Sequence, residues 1–410
     1  MFRLFLIQGA ANMENAADES WDLLLSLLPS DWEQQAVLCG AVERLRGFRC
    51  AGDLLRVLLM HVGKGYSLRE TAVRARRSGL ADVSDVALLL RLRKVENWWR
   101  RLCLALLQES GWSVGADPRK WNLRALDGTL VQEPGRTGAQ WRIHYSLRLP
   151  SLECDAFEIT AAQGAGTGEK LERWEVSPLD LLLADRGFCR PEGVAQVSRQ
   201  GAALIVRLHS TSLPLYEGGR RLVVLERLRQ LTQPGQIGEW RVQVRAGRDT
   251  TLGRLCALRK SEAAAAQAER RVARKAQKNG HGQVTRPATL ELARYVLLFT
   301  TVPATDFSAV EVLELYRSRW QIELAFKRLK TLAQLGHLPK HDAHAARGWL
   351  YGKLLLALLS QKLSRHGRAI SPWGYSLAGL EAEQRLATIQ FPVARTAASH
   401  RTQHGAADRT

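Results

Sequence analysis

The spacing of hydrophobic residues changes part-way along the chain. Up to about residue 118, apolar residues recur at intervals of three and four, which is typical of helices. From about Trp121 the pattern becomes strand-like, with the successive segments LRALDGTLV, AQWRIHYSLRL and CDAFEITAA. A helical stretch, GEKLERWEV, precedes the strand LDLLLAD, the helix PEGVAQVSRQG and the strand AALIVRL. This order predicts a mixed α/β (α+β) domain that begins with antiparallel strands.

A long segment with strand character follows. Between His209 and Thr301 the pieces RLVVLERL, EWRVQVRAG and ARYVLLFTT are predicted as strands, and a basic helix is predicted from Ser261 to Lys278. The segment is too long to be a simple connection. We therefore predict a β-rich insertion at about 209–301.

The pattern divides the chain into four predicted parts. Helices are expected again at 342–364 and 377–388, whereas the last residues are rich in Ala, Thr, His and Arg and are predicted to be disordered. The predicted parts are a helical N-terminal region at 1–118, an α/β domain at 119–340, a helical C-terminal region at 341–391 and a tail at 392–410.

Two helices of the N-terminal region are predicted to form a helix-turn-helix at about 67–107. Ser67 and Glu70 form a capping box that opens the first helix, and the second is predicted to start near Ser84. A short Gly-containing turn between two helices is typical of this DNA-binding motif. The second helix would carry three basic residues towards DNA: Arg91, Arg93 and Lys94. The alternative is an ordinary helical bundle with a solvated basic face.

Charge favours an anionic partner. The chain of 410 residues has a formal charge of +19 and is 46% apolar, so it combines a sizeable core with a basic surface. Double-stranded DNA is the simplest candidate, because Lys and Arg gain affinity by displacing its counterions. Charge alone would also fit a ribosomal or membrane-surface protein.

The spacing of the cysteines and the length of the apolar runs argue against a zinc site, a signal peptide and a membrane span. The six cysteines form no C-x-x-C pair and have no His at metal-ligand spacing, so we expect reduced thiols and no zinc site. The apolar start of the chain is too short for a signal peptide, and runs such as WLYGKLLLALL fall short of the roughly 20 residues of a membrane span. The sequence predicts a cytoplasmic protein with no membrane partner.

Steps of three, four and seven place four polar residues on one stripe of a predicted helix, LYRSRWQIELAFKRLK. A carboxylate with Arg one turn away and Lys two turns away suits a group that binds a metal while its neighbours bind phosphate oxygens. The four residues are Tyr316, Arg319, Glu323 and Lys330.

Two upstream aspartates are candidate partners of Glu323. Asp127 in RALDGTL and Asp185 in LLLADRGF each follow a short apolar run and precede a glycine within two residues. Each carboxylate is therefore expected where a strand ends, which is where α/β sheets place their chemistry.

This ordered set resembles the DDE transposases of bacterial insertion sequences, in the branch defined by the YREK signature (the insertion sequence four-type family). The strongest matches are Asp-Gly-Thr at 127–129, Asp-Arg-Gly-Phe at 185–188 and the Tyr-x2-Arg-x3-Glu-x6-Lys spacing. Weaker similarity extends from about Leu54 to Leu363. The resemblance implies a ribonuclease H-like core, with Asp127 on its first strand and Asp185 just after its fourth.

The resemblance also implies metal-dependent cleavage and transfer of DNA strands. Two Mg²⁺ ions, for which Mn²⁺ can substitute, would lie about 4 Å apart and stabilise the charge that develops at the scissile phosphate. By analogy with the family, Asp127 bridges the two ions, Asp185 binds one and Glu323 binds the other. A homodimer is expected on DNA, since two transposon ends must meet in one assembly.

Further residues are expected to contact DNA. Arg319 and Lys330 would bind phosphates beside the cut, and Tyr316 could hydrogen-bond another. Tyr295 occupies a strand position at which the family often has an aromatic residue that stacks on a flipped base, although an ordinary strand tyrosine fits equally well. The other predicted DNA contacts are Arg186, Arg270 and Arg274. For Arg186 an ion pair within the acidic core is an alternative, which we prefer for Arg207, and the basic run around Arg270 could be a solvated face.

Two other function classes stay open on the residues alone. A metal-dependent nuclease of ribonuclease H fold, such as a junction resolvase, would lack the long insertion and the YREK spacing. A catalytically silent relative or a helix-turn-helix regulator would bind DNA without cutting it. The presence of all three carboxylates argues against lost activity, and joining of DNA ends to a target distinguishes a transposase from a nuclease.

Overall fold

The computed structural model describes residues 21–108, 121–132, 140–149, 151, 153–278, 285–317, 319, 338 and 342–369. Residues 1–365 form one compact unit and residues 366–410 a second. The predicted domain boundaries at 118, 340 and 391 fall outside these described ranges, so the division into four parts stays a prediction. No helix in the described ranges combines the length and the apolarity that a membrane crossing needs.

The N-terminal region is helical, as predicted. Ser67 caps the first helix of the predicted pair by accepting a hydrogen bond from the amide of Glu70, and Ser84 caps the second in the same way. The second helix is shorter than predicted, because the chain breaks at Val95 and a separate helix follows. The helices are α1 (Trp32–Leu38), α2 (Ala51–Lys64), α3 (Leu68–Arg77), α4 (Asp85–Lys94) and α5 (Glu96–Gln108).

Ten strands form one mixed sheet in the order β3-β2-β1-β4-β5-β10-β9-β8-β6-β7. The first three strands are antiparallel neighbours, whereas β1, β4 and β5 run parallel. The strands are β1 (Asn122–Gln132), β2 (Gln140–Arg148), β3 (Glu153–Ala161), β4 (Asp180–Ala184), β5 (Ala203–Arg207), β6 (Tyr216–Glu217), β7 (Arg220–Arg221), β8 (Ile237–Ala246), β9 (Asp249–Arg259) and β10 (Tyr295–Thr300). Helix α6 (Pro191–Arg199) connects β4 to β5, so the predicted strand–helix–strand unit is confirmed.

The parallel strands form the centre of the core. Every residue of β4 is buried, which explains its continuous apolar run, since a central parallel strand is covered on both faces. Arg124 of β1 holds three strands together at one end of the sheet. Its guanidinium lies 2.8 Å from Asp155 of β3 and 2.9 Å from Asp180 of β4. This buried ion cluster fixes the relative positions of the strands that carry the predicted aspartates.

Two predicted elements of this domain differ in the structure. The segment GEKLERWEV contains only a single 3₁₀ turn, Leu171–Arg173, because Leu171 and Trp174 are both buried and an extended path around the turn brings both to the core. The segment RLVVLERL ends strand β7 and continues as helix α7 (Val224–Leu228), in which Val224 and Leu228 face the core. The prediction of a strand over this segment is therefore wrong; the spacing of these two apolar residues fits a helix as well as a strand.

The β-rich insertion extends the central sheet. Strands β8 and β9 pair along their length, and β9 pairs with β10, which returns beside β5. The predicted basic helix is confirmed as α8 (Glu262–Lys278), followed by α9 (Pro287–Ala293). After β10 come α10 (Ala309–Arg317) and α11 (Ala343–Ala369). The predicted helix at 377–388 and the tail at 392–410 lie outside the described residues.

Candidate active site

Strands β1 and β4 bring Asp127 and Asp185 side by side. Ala125 of β1 is the parallel partner of Leu183 of β4; Asp127 lies two residues further along β1, and Asp185 lies two residues after Leu183, directly after the end of β4. Because side chains alternate between faces with period two, both carboxylates share the face of Ala125 and Leu183. The prediction that Asp127 ends its strand is wrong, since β1 continues to Gln132 in a ladder with β2.

Helix α10 supplies the residue that covers Asp185. Val312, Leu313 and Leu315 of this helix are buried in the core cluster that also contains Ala125 and Leu183. This packing places the hydroxyl group of Tyr316 3.5 Å from Oδ1 of Asp185, to which it donates a weak hydrogen bond. Burial raises the pKa of Tyr316, so the phenol stays protonated and remains a donor at neutral pH.

Arg319 lies against the other aspartate. Its Nη1 is 3.4 Å from Oδ2 of Asp127, and its guanidinium carbon lies 5.8 Å from the centre of the Tyr316 ring. Asp127 also accepts a hydrogen bond from the backbone amide of Gly128, at 2.8 Å from Oδ1. Arg319 is 9% exposed, so its charge acts in a setting with little solvent screening.

The two remaining residues of the YREK pattern, Glu323 and Lys330, lie outside the described residues. In the described ranges, no group of three His, Cys, Asp or Glu side chains is arranged to hold a metal ion. The site that can be described therefore consists of two neighbouring aspartates, one phenol and one guanidinium. The convergence of the third predicted carboxylate with them stays a prediction.

A carboxylate that sequence analysis missed, Glu169, also reaches this site. Its Oε1 lies 3.7 Å from Nη1 of Arg142 on β2. Burial raises the pKa of Glu169, and the negative charges of Asp127 and Asp185 add to the effect. Glu169 belongs to the segment that was predicted to be helical. No local pattern points to Glu169; the glycines after the two aspartates, Gly128 and Gly187, leave the room that its side chain fills.

A second cluster beside Asp185 is basic. Arg186 follows the aspartate directly, and Arg207 ends strand β5. Although Arg186 is an exposed residue, packing around its guanidinium and the charge of Arg207 lower its pKa. Burial and the charges of Arg207, Arg186 and Arg271 lower the pKa of Lys260 to about 8. Like charges this close together are unfavourable unless an anion joins them, so the cluster can receive a phosphate.

The three basic residues predicted to enter a DNA groove have contacts within the protein. Arg91 donates to the carbonyl oxygen of Arg44, Arg93 lies 2.7 Å from a carboxylate oxygen of Asp342, and Lys94 lies 2.9 Å from one of Glu43. These contacts hold α4 against the rest of the protein. DNA contact by Arg91, Arg93 and Lys94 stays a prediction, and it would require at least two ion pairs to open.

The preceding helix presents a second basic surface. The C-terminal end of α2 and the exposed side of α3 line a groove of about 770 Å³. The ring of Tyr66 stacks on the guanidinium of Arg74 at 4.2 Å, and Arg74 also pairs with Glu70 at 2.9 Å. We call this surface the α3 groove. Its charged lining residues are Lys64, Arg69, Glu70, Arg74 and Arg77.

The remaining predicted DNA contacts differ in their exposure. Arg270 and Arg274 are exposed on α8, as a contact with the DNA backbone requires. Tyr295 is 5% exposed and packs in a core cluster with Leu297 and Phe299. Its ring is therefore not presented for base stacking, and the alternative of an ordinary strand tyrosine is favoured, because the first residue of β10 must face the core.

Comparisons with known proteins agree with this geometry. The family model of the transposase DDE domain matches residues 160–359. The transposase for insertion sequence element IS421 of Escherichia coli is 34% identical over 355 residues, which cover 84% of this chain and 94% of the relative. The chain belongs to the DDE transposases of insertion sequences. The InsL protein for insertion sequence element IS186A of Escherichia coli (strain K12) is also 34% identical, over 354 residues with the same coverage. The transposase for element IS231F of Bacillus thuringiensis subsp. israelensis is 27% identical over 199 residues, which cover 44% of this chain and 41% of the relative.

Membership in this family implies a ribonuclease H-like core and metal-dependent phosphoryl transfer on DNA. The strand order β3-β2-β1-β4-β5, with α6 between the last two, agrees with the core predicted from the sequence. The donor set also fits a divalent cation, because Asp127 and Asp185 offer hard carboxylate oxygens on adjacent strands. A cationic group, the guanidinium of Arg319, already lies against Asp127.

Proposed function

We propose that this transposase binds the inverted-repeat ends of an insertion sequence and cleaves and transfers their strands with Asp127, Asp185 and Glu323. The observation that carries the proposal is the pair of neighbouring aspartates, Asp127 on β1 and Asp185 directly after β4, with Tyr316 and Arg319 directed at it. Two Mg²⁺ ions, or Mn²⁺ in their place, would be held by these carboxylates and would stabilise the charge on the attacking and leaving oxygens.

The protein's own groups have distinct roles in this proposal. The amide of Gly128 and the phenol of Tyr316 orient the carboxylates of Asp127 and Asp185. Arg319 pairs with Asp127 until DNA binds, and then donates to a phosphate oxygen beside the scissile bond. Lys330, two turns after Glu323 on the predicted helix, contributes a second charge to the phosphates.

Basic surfaces around this centre are proposed to bind the DNA backbone. Arg186 directly follows Asp185, and Arg186, Arg207 and Lys260 act on one another electrostatically, so a bound phosphate would relieve their mutual repulsion. Arg270 and Arg274 on α8 and the three arginines of the α3 groove are exposed. We infer that the α3 groove makes the first contacts with a transposon end, since the basic residues of α4 already form ion pairs and a hydrogen bond with other segments of the protein.

A transposition assay with paired ends tests the proposal. The protein is incubated with labelled DNA that carries two inverted-repeat ends, with an unlabelled target plasmid and with Mg²⁺. Joined products that require both ends support a homodimeric transposase complex. Nicking without joining would favour a nuclease of ribonuclease H fold, and binding without nicking would favour a silent DNA-binding relative.

A further inference from the structure

We propose that Glu169 is a positioning residue of the catalytic centre, which increases the affinity of the Asp127–Asp185 pair for a divalent cation. The inference rests on the proposed function, because that function assigns the metal to these two aspartates. Glu169 lies in the connection between β3 and β4, at a site that neither the YREK pattern nor the aspartate motifs include.

The glycine that follows each aspartate makes room for this carboxylate. A Cβ atom on Gly187, two residues after Asp185, would lie 1.6 Å from Oε2 of Glu169 and 2.8 Å from its carboxyl carbon. A Cβ atom on Gly128, next to Asp127, would lie 3.2 Å from Oε1. The two oxygens of Glu169 therefore face the two aspartate motifs, one each. Any side chain at Gly187 would force the carboxylate to move.

Charge explains why such a residue strengthens cation binding. Glu169 brings a third negative charge to a partly buried site in which Asp127 and Asp185 already act on it electrostatically. Three carboxylates close together repel one another without a counter-charge. A divalent ion therefore binds more tightly beside three carboxylates than beside two. The three groups are not arranged as direct ligands of one ion in the described residues. Glu169 is therefore assigned to positioning the ion and its water, and not to direct coordination.

A purely structural role for Glu169 would be distinguished by the effect of replacing its ion-pair partner, Arg142. Its ion pair with Arg142 spans 3.7 Å, and the two side chains are 24% and 21% exposed. If Glu169 served only to hold Arg142 on β2, replacing either partner would change the cation affinity to the same extent. If Glu169 serves the cation, removing Arg142 leaves its carboxylate in place and frees it from a competing charge.

The test measures Mn²⁺ binding by electron paramagnetic resonance, in the absence of DNA. We expect Glu169→Gln to weaken Mn²⁺ affinity by about tenfold or more, as loss of a residue that orients metal ligands typically does. Arg142→Gln should bind Mn²⁺ at least as tightly as the wild type. Glu192→Gln, which removes an exposed carboxylate on α6, is the control for loss of one negative charge. Unfolding temperatures of all variants show whether the fold is kept.

Gly187→Ala provides a second route that keeps the carboxylate but displaces it. It should also weaken Mn²⁺ binding, and its effect should not add to that of Glu169→Gln, because both changes remove the same interaction. Unchanged Mn²⁺ affinity in Glu169→Gln, or equal losses in Glu169→Gln and Arg142→Gln, would overturn the inference alone. Unchanged affinity in Asp185→Asn would overturn the proposed metal centre and the inference with it.

Discussion

Arg319 lies 192 residues from Asp127 in the sequence, yet its Nη1 is 3.4 Å from Oδ2 of that aspartate. The arginine of the predicted YREK stripe and the first predicted carboxylate are therefore neighbours in the fold. The contact joins a residue just beyond the end of α10 to the centre of β1, so the two motifs belong to one site. Under the proposed function, the arginine exchanges this carboxylate for a phosphate when DNA binds.

Arg319→Ala is expected to reduce strand cleavage roughly a hundredfold, the usual effect of removing one donor to a developing anion. Affinity for a transposon end should change little, since one phosphate contact among many lowers the slope of log K against log salt by only about one unit. Single-turnover cleavage and salt-dependent binding measure the two effects. Arg319→Lys should not restore cleavage, because a point charge cannot replace a bidentate fork. Equal losses of binding and cleavage would show that the arginine anchors DNA instead.

Asp127→Asn and Asp185→Asn should each abolish cleavage and leave binding of transposon ends largely intact. Each change removes a proposed metal ligand without altering the basic surface, and Glu323→Gln is expected to behave in the same way. Cleavage of labelled ends in Mg²⁺ and in Mn²⁺, with a mobility-shift assay in parallel, provides the measurement. Substantial cleavage by any one variant would remove that residue from the proposed triad.

The aspartate pair was predictable from sequence because its signals are local. A short apolar run followed by Asp, with a Gly within the next two residues, identifies each position, and the parallel pairing of β1 with β4 aligns them in the fold. Glu169 was not predictable in this way. It lies in a loop without periodicity, and its neighbours, Arg142 and Gly187, come from separate elements. The same reason applies to Arg93, whose partner Asp342 is 249 residues away.

A double substitution in the α3 groove tests the first contact with DNA. Arg69→Ala with Arg77→Ala should lower the slope of log K against log salt by about two units, as expected for two lost phosphate contacts. Arg91→Ala with Arg93→Ala removes the same charge from α4 and serves as the matched control. We expect this control to lower the unfolding temperature more than the DNA affinity, because Arg93 pairs with Asp342 at 2.7 Å. If the α4 double variant lost DNA affinity and the α3 double variant did not, α4 would be the helix that contacts DNA.

The lowered pKa of Lys260, about 8, predicts a pH dependence of DNA binding. The free protein loses this charge as the pH rises through 8, whereas a bound phosphate favours the charged form. Affinity for a transposon end should therefore fall by about tenfold between pH 7 and pH 9.5, equivalent to one charge-assisted hydrogen bond of about 1.5 kcal/mol. The Lys260→Arg variant stays charged across this pH range, so its affinity should not show this tenfold decrease. Fluorescence anisotropy at constant ionic strength measures both proteins, and parallel pH profiles would exclude Lys260 from the interface.

Lys353 on α11 is expected to limit the stability of the fold at neutral pH. The residue is 1% exposed, its Nζ lies 4.9 Å from the centre of the Trp349 ring, and burial lowers its pKa from 10.5 to about 8. Below pH 8 the folded protein must keep a charged ammonium group in the core, at a cost of up to roughly 3 kcal/mol. Between pH 8 and 10.5 the unfolded chain holds the proton that the folded protein has released, so this cost disappears as the pH rises.

Lys353→Met should therefore raise the free energy of unfolding at pH 7, with a difference from the wild type that shrinks towards pH 10. Urea unfolding at several pH values measures this difference, with the exposed Lys275→Met as control. A destabilised Lys353→Met at pH 7 would mean that the ammonium group makes a favourable buried contact that outweighs its desolvation.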